Sequence, residues 1–189
     1  LGAARLFLMI VVGTLPLFLV LPINDSVEQL YYITPFIGVA LLLTGCMLFV
    51  SDRMAPGKRT EKNMRFRDAL IIGLCQCVAT IPGLSRSGTT ITAGIATGLD
   101  RGFAMKYSFL LSLPAVLGAN LLSFIKALGE ESIELSMVPA YLVGMLAAML
   151  SGIAAISLMK LIAKKSKSGW FAYYCWGAGL LTIIFSLIF

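Results

Sequence analysis

Long uncharged runs of apolar residues constrain the fold of this chain more than any other feature. The five runs are Leu6–Ile23, Leu30–Ser51, Tyr107–Ile125, Leu135–Met159 and Ser168–Phe189. Each is close to the roughly 20 residues that a helix needs to cross a hydrocarbon core of about 30 Å. Only 13% of all residues are charged, whereas about a quarter are charged in a typical soluble domain. The sequence therefore predicts an all-α polytopic membrane protein with about five transmembrane helices.

Helix bounds follow from these runs and their flanking residues. The predicted spans are Arg5–Pro22, Tyr31–Val50, Phe103–Leu128, Met137–Ile162 and Trp170–Phe189. Pro16 interrupts the first span, because proline has no backbone N–H to donate. Gly38 and Gly45 are predicted to let a neighbouring helix approach the second span closely.

Charged residues are segregated by sign between the loops, and this predicts a topology. Basic side chains fall in two regions: Arg53, Lys58, Arg59, Lys62, Arg65 and Arg67, and then Lys160, Lys164, Lys165 and Lys167. Acidic side chains mark two others: Asp25 and Glu28, and then Glu130, Glu131 and Glu134. The positive-inside rule places the basic loops in the cytoplasm and the acidic loops outside. The net charge of +6 is then explained by topology and contact with anionic membrane lipids, and no nucleic-acid partner is predicted.

The stretch from Asp68 to Arg101 differs from the rest of the chain. Two short apolar runs, Ala69–Ile81 and Thr90–Leu99, flank a Pro82-Gly83 interruption, and neither is long enough to span a bilayer. The loop charges require both ends of this stretch to lie on the cytoplasmic side. We therefore predict a re-entrant helix-loop-helix over residues 68–101, with its second helix beginning near Thr89 or Thr90. Such a break is tolerated only inside protein or beside a watery cavity.

The interruption itself has the chemistry of an anion site. Gly83 and Gly88 permit unusual backbone angles, and a helix N-terminus offers free N–H groups and partial positive charge. Arg86 adds a planar charged fork that matches phosphate oxygens. The hydroxyl residues predicted to join them are Ser85, Ser87, Thr89 and Thr90. Because an arginine at membrane depth is costly, the functional interpretation is preferred to a structural one.

Other polar and sulfur-containing residues receive weaker interpretations. Gln76 is predicted either to hydrogen-bond the loop or to form a polar interhelical contact, and the sequence leaves both open. Cys75 and Cys77 have no accompanying histidine or second cysteine pair, so no metal ligand is predicted in this chain.

Several functions can be weighed on these residues. A P-loop is excluded because its glycine-to-lysine spacing is missing, and a histidine-nucleophile phosphatase is excluded because the chain has no histidine. A transporter or flippase of a lipid phosphate or other anion stays open. A scaffold whose glycine-rich segment only packs helices is a third interpretation.

A family resemblance is carried by two parts of the chain. One is the segment Pro82–Gly88, which reads Pro-Gly-Leu-Ser-Arg-Ser-Gly, and the other is the later stretch Tyr107–Leu111 with Pro114. The stretch from Phe66 through Gln76, the pair Thr90-Ile91, and Gly94 and Gly98 extend this resemblance. Together these residues closely resemble the bacterial undecaprenyl-diphosphate phosphatase family of the bacitracin-resistance type. The similarity covers about the C-terminal two-thirds of that family. It implies a fold of two inverted halves, each with a re-entrant loop meeting at the midplane.

The resemblance implies hydrolysis of a C55 isoprenyl diphosphate to the monophosphate, recycling a lipid carrier for cell-wall synthesis in the bacterial cytoplasmic membrane. It assigns Arg86 to grip the diphosphate and Ser85 and Thr90 to hydrogen-bond it, so these three are the expected catalytic residues. The expected substrate-binding residues are Gly83, Ser87, Gly88, Thr89 and Gln76. The resemblance also implies a divalent cation, Mg²⁺ or Ca²⁺, with ligands largely outside this chain.

One part of the family pattern has no counterpart here. A glutamate cluster followed by a Pro-Val-Ser-Ser-Ser-Gly-His stretch is missing from residues 1–67. Hydrolysis needs an activated water and a protonated leaving group. We therefore expect residues 1–189 to form a single membrane domain, a fragment that lacks an N-terminal part with the first catalytic motif. Such a chain holds the diphosphate-binding half of a site and is inactive alone; homo-oligomerisation stays open.

Overall fold

Helices and short helical turns make up the described part of this chain. The computed structural model describes residues 2–55, 57–129, 135–164 and 169–188, and no strand occurs within those ranges. The α-helices are α1 (Gly2–Thr14), α2 (Asn24–Gln29), α3 (Thr34–Arg53), α4 (Phe66–Val78), α5 (Arg86–Ala96), α6 (Arg101–Gly129), α7 (Val138–Lys164) and α8 (Gly169–Ile188). Short 3-10 turns occupy Leu15–Leu19, Leu21–Ile23, Leu30–Tyr32 and Leu135–Met137.

Five segments of the described chain are long and apolar enough to cross a membrane. They are Gly2–Ile23, Thr34–Arg53, Arg101–Gly129, Val138–Leu158 and Trp170–Ile188. The predicted all-α polytopic class is therefore confirmed, and the predicted bounds differ from these by a few residues. As expected, Pro16 ends the regular helix early, because α1 stops at Thr14 and the chain continues as the 3-10 turn Leu15–Leu19.

The helices α3 and α8 pack through small residues. A Cβ atom added at Gly38 would lie 3.0 Å from the Gly179 carbonyl oxygen, and one added at Gly45 would lie 2.5 Å from Nε1 of Trp176. Only glycine lets the two backbones come this close. The sequence prediction that Gly38 and Gly45 admit a neighbouring helix is confirmed, and that neighbour is α8.

The main hydrophobic core lies among α1, α4, α5 and α6. Tyr107 is fully buried in it, and its hydroxyl donates a 2.7 Å hydrogen bond to the Met9 carbonyl. Where α1 crosses α4, a Cβ atom at Gly73 would overlap the Gly13 carbonyl oxygen. This core fixes the two short helices α4 and α5 beside the longer ones. It contains Met9, Met64, Ala69, Ile72, Ala93, Ile95, Leu99, Phe103, Ala104, Tyr107 and Leu111.

One loop residue, Arg59, ties together both ends of the α4–α5 pair. Its guanidinium forms a 3.0 Å ion pair with Asp68 in the first turn of α4. Its carbonyl accepts a 2.7 Å hydrogen bond from the N–H of Asp100, just after α5. The stretch therefore leaves and returns at the same place, as a helix-loop-helix does. Its re-entry into a membrane remains a prediction.

The chain divides into two compact units. One contains Leu1–Ala115 with Ser168–Phe189, and the other contains Val116–Lys167. Several charged residues used for the predicted topology lie outside the described residues: Glu130, Glu131, Glu134, Lys165 and Lys167. So does Pro56, which together with Gly57 is typical of a turn in the first basic loop. The side chains of Asp25, Lys160 and Lys164 are likewise not described.

Candidate anion-binding site

The helix α5 begins at Arg86, three to four residues earlier than predicted. Ser85 has a non-helical backbone with φ −68° and ψ 110°, and its hydroxyl oxygen accepts a 3.1 Å hydrogen bond from the N–H of Gly88. The carbonyl of Ser85 also accepts a 2.9 Å bond from the N–H of Thr89. A serine in this position is a helix N-cap. The prediction of a start near Thr89 or Thr90 is wrong because this cap begins the helix earlier.

The cap leaves two backbone donors free at the helix start. The N–H groups of Arg86 and Ser87 are the first two of α5, where no intrahelical acceptor exists. Neither has a hydrogen-bond partner among the described residues. Gly88 and Thr89, the next two, are satisfied by the hydroxyl and the carbonyl of Ser85. Two adjacent unpaired N–H groups at a helix N-terminus suit an oxyanion.

The Arg86 side chain adds a permanent positive charge at the same place. It is half-buried, and none of the described residues forms an ion pair or a hydrogen bond with its guanidinium. By contrast, Arg59 pairs with Asp68, and Arg101 pairs with Asp52 at 2.9 Å. Arg86 therefore differs from these two structural arginines, and its five N–H donors are available to a ligand.

The hydroxyls predicted at this site have different surroundings. Thr89 Oγ1 donates to the Ser85 carbonyl at 2.9 Å. Thr90 Oγ1 lies 2.9 Å from the Arg86 carbonyl oxygen and 3.2 Å from that of Ser87. No bond to the Ser87 hydroxyl is found within the described ranges. The Ser85 hydroxyl, which accepts from Gly88, keeps its own hydrogen for a ligand. The hydroxyls of Ser85 and Ser87 are thus the ones that retain a free hydrogen.

Gln76 lies in the buried face of α4 with only 1% of its surface exposed. Its amide nitrogen has no hydrogen-bond partner in the described structure, so that atom makes neither of the two contacts considered for Gln76, and both interpretations of the residue stay predictions. An unpaired buried amide is costly. The hydroxyl of Thr92 in α5 is orphaned in the same way.

Two residues outside the segment hold it in place, and sequence reasoning gave neither a role. Thr44 of α3 donates its hydroxyl hydrogen to the Gly83 carbonyl at 3.0 Å and accepts the N–H of Ser85 at 3.1 Å. Ser108 of α6 places its hydroxyl 2.6 Å from that of Thr90. The available signal was weak, since each is one of several hydroxyl residues within an apolar run.

The donor set fits an anion and does not fit a cation. The free groups described above are N–H and O–H donors and a guanidinium, and residues 82–90 contain no carboxylate or histidine. Over the described ranges, no group of three or more His, Cys, Asp or Glu residues could hold a metal ion. The residues of this site therefore offer no ligand set for the divalent cation that the resemblance implies.

Comparison with known proteins finds one family that matches nearly the whole chain. The family model for bacitracin resistance protein BacA matches residues 2–181. An undecaprenyl-diphosphatase of Methanosphaera stadtmanae is 40% identical over 181 residues, covering 95% of this chain and 64% of the relative. One from Carboxydothermus hydrogenoformans is 38% identical, covering 95% of this chain and 70% of the relative.

The extent of the match varies among relatives. This chain spans 64% of the length of the Methanosphaera protein. It spans 100% of an undecaprenyl-diphosphatase of Methanothermobacter thermautotrophicus, at 38% identity over 185 residues. The family match covers nearly the whole chain and includes both the capped helix α5 and the α6 residue that contacts it. This chain belongs to the BacA family of bacitracin resistance proteins.

Proposed function

We propose that the protein to which this chain belongs hydrolyses undecaprenyl diphosphate to undecaprenyl phosphate and inorganic phosphate. The observation that carries the proposal is that α5 starts with the free N–H groups of Arg86 and Ser87, and that the guanidinium of the same Arg86 has no partner among the described residues. Similar proteins named undecaprenyl-diphosphatase support the choice of substrate. The membrane spans support a substrate that is itself a lipid.

In this proposal, the described residues bind and orient the diphosphate. The two free N–H groups and the guanidinium contact phosphate oxygens, and the hydroxyls of Ser85 and Ser87 donate further hydrogen bonds. Preorganised donors of this kind stabilise the charge that builds on phosphate oxygens in a hydrolytic transition state. They also hold the terminal phosphorus in a fixed position for attack by water.

The chemical step needs groups that residues 82–90 do not supply. Water must lose a proton as it attacks the terminal phosphorus, and the departing phosphate oxygen must be neutralised. No Asp, Glu or His lies in that segment. We therefore propose that this chain contributes the binding half of the site and that the proton-transferring groups lie elsewhere in the protein. The implied divalent cation, Mg²⁺ or Ca²⁺, is proposed to be held outside this segment as well.

The test is a hydrolysis assay with matched proteins. Purified full-length protein in detergent micelles is given undecaprenyl diphosphate, and released phosphate is measured. We expect turnover that falls to near background in Arg86→Ala. We expect the 189-residue chain to bind the substrate without turning it over. Turnover by that chain, abolished by Arg86→Ala, would contradict the half-site proposal and leave the hydrolase proposal standing.

A second candidate function is transport of a lipid phosphate or another anion. The observation that favours it is an anion site without a carboxylate or imidazole in residues 82–90. Proteoliposomes containing the full-length protein and a fluorescent prenyl diphosphate would decide between the two. Transfer of the lipid between leaflets without phosphate release supports transport, and phosphate release without transfer supports hydrolysis.

A further inference from the structure

The side chain of Thr44 connects α3 to the loop that precedes α5. It is 1% exposed and its hydroxyl makes two hydrogen bonds, both to backbone groups of that loop. It donates to the Gly83 carbonyl at 3.0 Å and accepts from the Ser85 N–H at 3.1 Å. A hydroxyl has one hydrogen, so its donor capacity is fully used here.

The loop and the first turn of α5 lie along one face of α3 on either side of Thr44. A Cβ atom at Gly83 would lie 2.8 Å from both Ala40 Cβ and the Ile37 carbonyl oxygen, and one at Gly88 would lie 3.2 Å from Leu48 Cδ2. Ile37, Ala40 and Thr44 of α3 lie against the loop, and Leu48 lies against Gly88 in the first turn of α5. They recur at three- and four-residue intervals, which places them on one helix face. Thr44 is the polar member of this face.

The hydrogen bond from the Ser85 N–H to the Thr44 hydroxyl affects which backbone donors of the anion site are free. Ser85 must keep its extended backbone, with φ −68° and ψ 110°, for its hydroxyl to reach the N–H of Gly88. Thr44 holds the N–H of Ser85, and it holds the carbonyl of Gly83, whose φ is +90°. These two hydrogen bonds therefore fix the loop at Gly83 and at the cap residue Ser85. With the Ser85 cap in place, the backbone N–H groups that stay free at the start of α5 are those of Arg86 and Ser87.

We propose that Thr44 is a positioning residue of the anion site. It sets the backbone of Gly83–Ser85 so that the N–H groups of Arg86 and Ser87 stay free and aligned for phosphate oxygens. The inference rests on the proposed function, because it concerns the same site. Thr44 itself has no hydrogen to donate to the ligand, since its only hydroxyl hydrogen is given to the Gly83 carbonyl. Loss of its hydroxyl should weaken ligand binding through loop geometry, while the charge of Arg86 remains.

The test compares two substitutions that differ in the hydroxyl. Thr44→Val keeps the shape and removes the hydroxyl, and Thr44→Ser keeps the hydroxyl. For the full-length protein we expect Thr44→Val to raise the KM for undecaprenyl diphosphate by about tenfold, the effect of losing about 1.4 kcal/mol of binding. We expect Thr44→Ser to stay within about twofold of the wild-type KM, because its oxygen can make both hydrogen bonds.

A control variant accounts for general loss of stability. Tyr107→Phe removes another buried hydrogen bond, from the Tyr107 hydroxyl to the Met9 carbonyl at 2.7 Å, away from the loop. We expect it to lower the unfolding temperature while leaving KM unchanged. If Thr44→Val does not accumulate as folded protein, Thr44→Ala replaces it, because it removes the same hydroxyl with a smaller side chain.

The outcomes separate this inference from the proposed function. Equal KM values for Thr44→Val, Tyr107→Phe and the wild type would overturn the positioning role. A Thr44→Ser variant as impaired as Thr44→Val would overturn it too, because the hydroxyl would then not be the cause. A parallel binding assay with Arg86→Ala tests the anion site itself. Unchanged binding of undecaprenyl diphosphate by this variant would refute the proposed function, independently of the results for the Thr44 variants.

Discussion

The hydroxyl oxygens of Thr90 in α5 and Ser108 in α6 lie 2.6 Å apart and join the two helices. Thr90 has a single hydroxyl hydrogen, and two carbonyl oxygens, those of Arg86 and Ser87, lie within 3.2 Å of it. Ser108 is therefore the natural donor to Thr90, and Thr90 the donor to a carbonyl. Thr90 is only 2% exposed. Its hydroxyl is thus tied to the helix that carries Arg86 and to the neighbouring helix.

This pair predicts an energetic coupling between the two hydroxyls. Thr90→Val should destabilise the protein by about 1–3 kcal/mol, because it leaves the buried Ser108 hydroxyl without its partner. Ser108→Ala should cost less, since Thr90 keeps a carbonyl acceptor. The double variant should therefore be more stable than the sum of the single effects, by about 0.5–3 kcal/mol for residues in contact. Unfolding in detergent micelles measures the stability of the two single variants and the double variant. Losses of stability that add up in the double variant would show that the two hydroxyls are not coupled.

Arg86 should contribute to ligand binding through its charge and its planar fork. Arg86→Ala removes charge-assisted hydrogen bonds worth about 1.5–3 kcal/mol each, so we expect the affinity for a prenyl diphosphate to fall by at least tenfold. Arg86→Lys should recover part of the loss, because an ammonium group keeps the charge without the bidentate geometry. Binding is measured by titration of the purified protein with a fluorescent prenyl diphosphate.

A second arginine provides the control for this experiment. Arg53 is exposed and stacks on the Phe49 ring, with its guanidinium carbon 3.5 Å from the ring centroid. Arg53→Ala changes the net charge by the same amount outside the anion segment. We expect its affinity to match that of the wild type. Equal losses in Arg53→Ala and Arg86→Ala would mean that the effect is one of overall charge and not of a site.

The base of the helix-loop-helix should depend more on Asp68 than on Arg59. Asp68 is buried and accepts hydrogen bonds from the Arg59 guanidinium at 3.0 Å and from the Arg65 N–H at 2.9 Å, which caps α4. Asp68→Ala loses the ion pair and the cap, and we expect a cost of about 2–4 kcal/mol. Arg59→Ala removes only the ion pair, because the Asp68 carboxylate keeps the Arg65 N–H as a donor, so we expect a smaller cost. Thermal unfolding ranks the two, and a lower stability for Arg59→Ala would contradict the importance of the cap.

Features that depend on local chain properties were predictable from the sequence. The spans follow from run length, and the close approach at Gly38 and Gly45 follows from their lack of a side chain. The segment Pro82–Thr90 was singled out because an arginine between glycines and hydroxyl residues would be unusual at the membrane depth predicted for it. The family itself was recognisable from the same residues.

Features that depend on distant parts of the chain were not predictable. Thr44 contacts Gly83 and Ser85 across 39 and 41 residues, and Ser108 contacts Thr90 across 18. No local pattern links such pairs, because their meeting depends on how the helices pack. The start of α5 was missed for a local reason: Ser85 is followed three residues later by Gly88, and a capping box would have glutamate or glutamine there.

The loop before α5 should be sensitive to a side chain at Gly83 for two reasons that can be separated. Gly83 and Gly98 both have a left-handed backbone, with φ of +90° and +91°. A Cβ atom at Gly98 would have nothing nearer than 3.8 Å, whereas one at Gly83 would lie 2.8 Å from Ala40 Cβ and the Ile37 carbonyl oxygen. Gly98→Ala should therefore cost only the backbone strain, about 1–2 kcal/mol.

Gly83→Ala should add a steric clash to the same strain, so we expect a larger loss of stability than in Gly98→Ala. Relief of the clash requires the loop to move away from α3, which would break the Thr44 hydrogen bonds and disturb the cap at Ser85. We therefore also expect weaker binding of prenyl diphosphate in Gly83→Ala and wild-type binding in Gly98→Ala. Unfolding in detergent and ligand titration on the same two preparations measure both effects. Equal stabilities with equal affinities would show that contact with α3 does not hold the loop in its binding conformation.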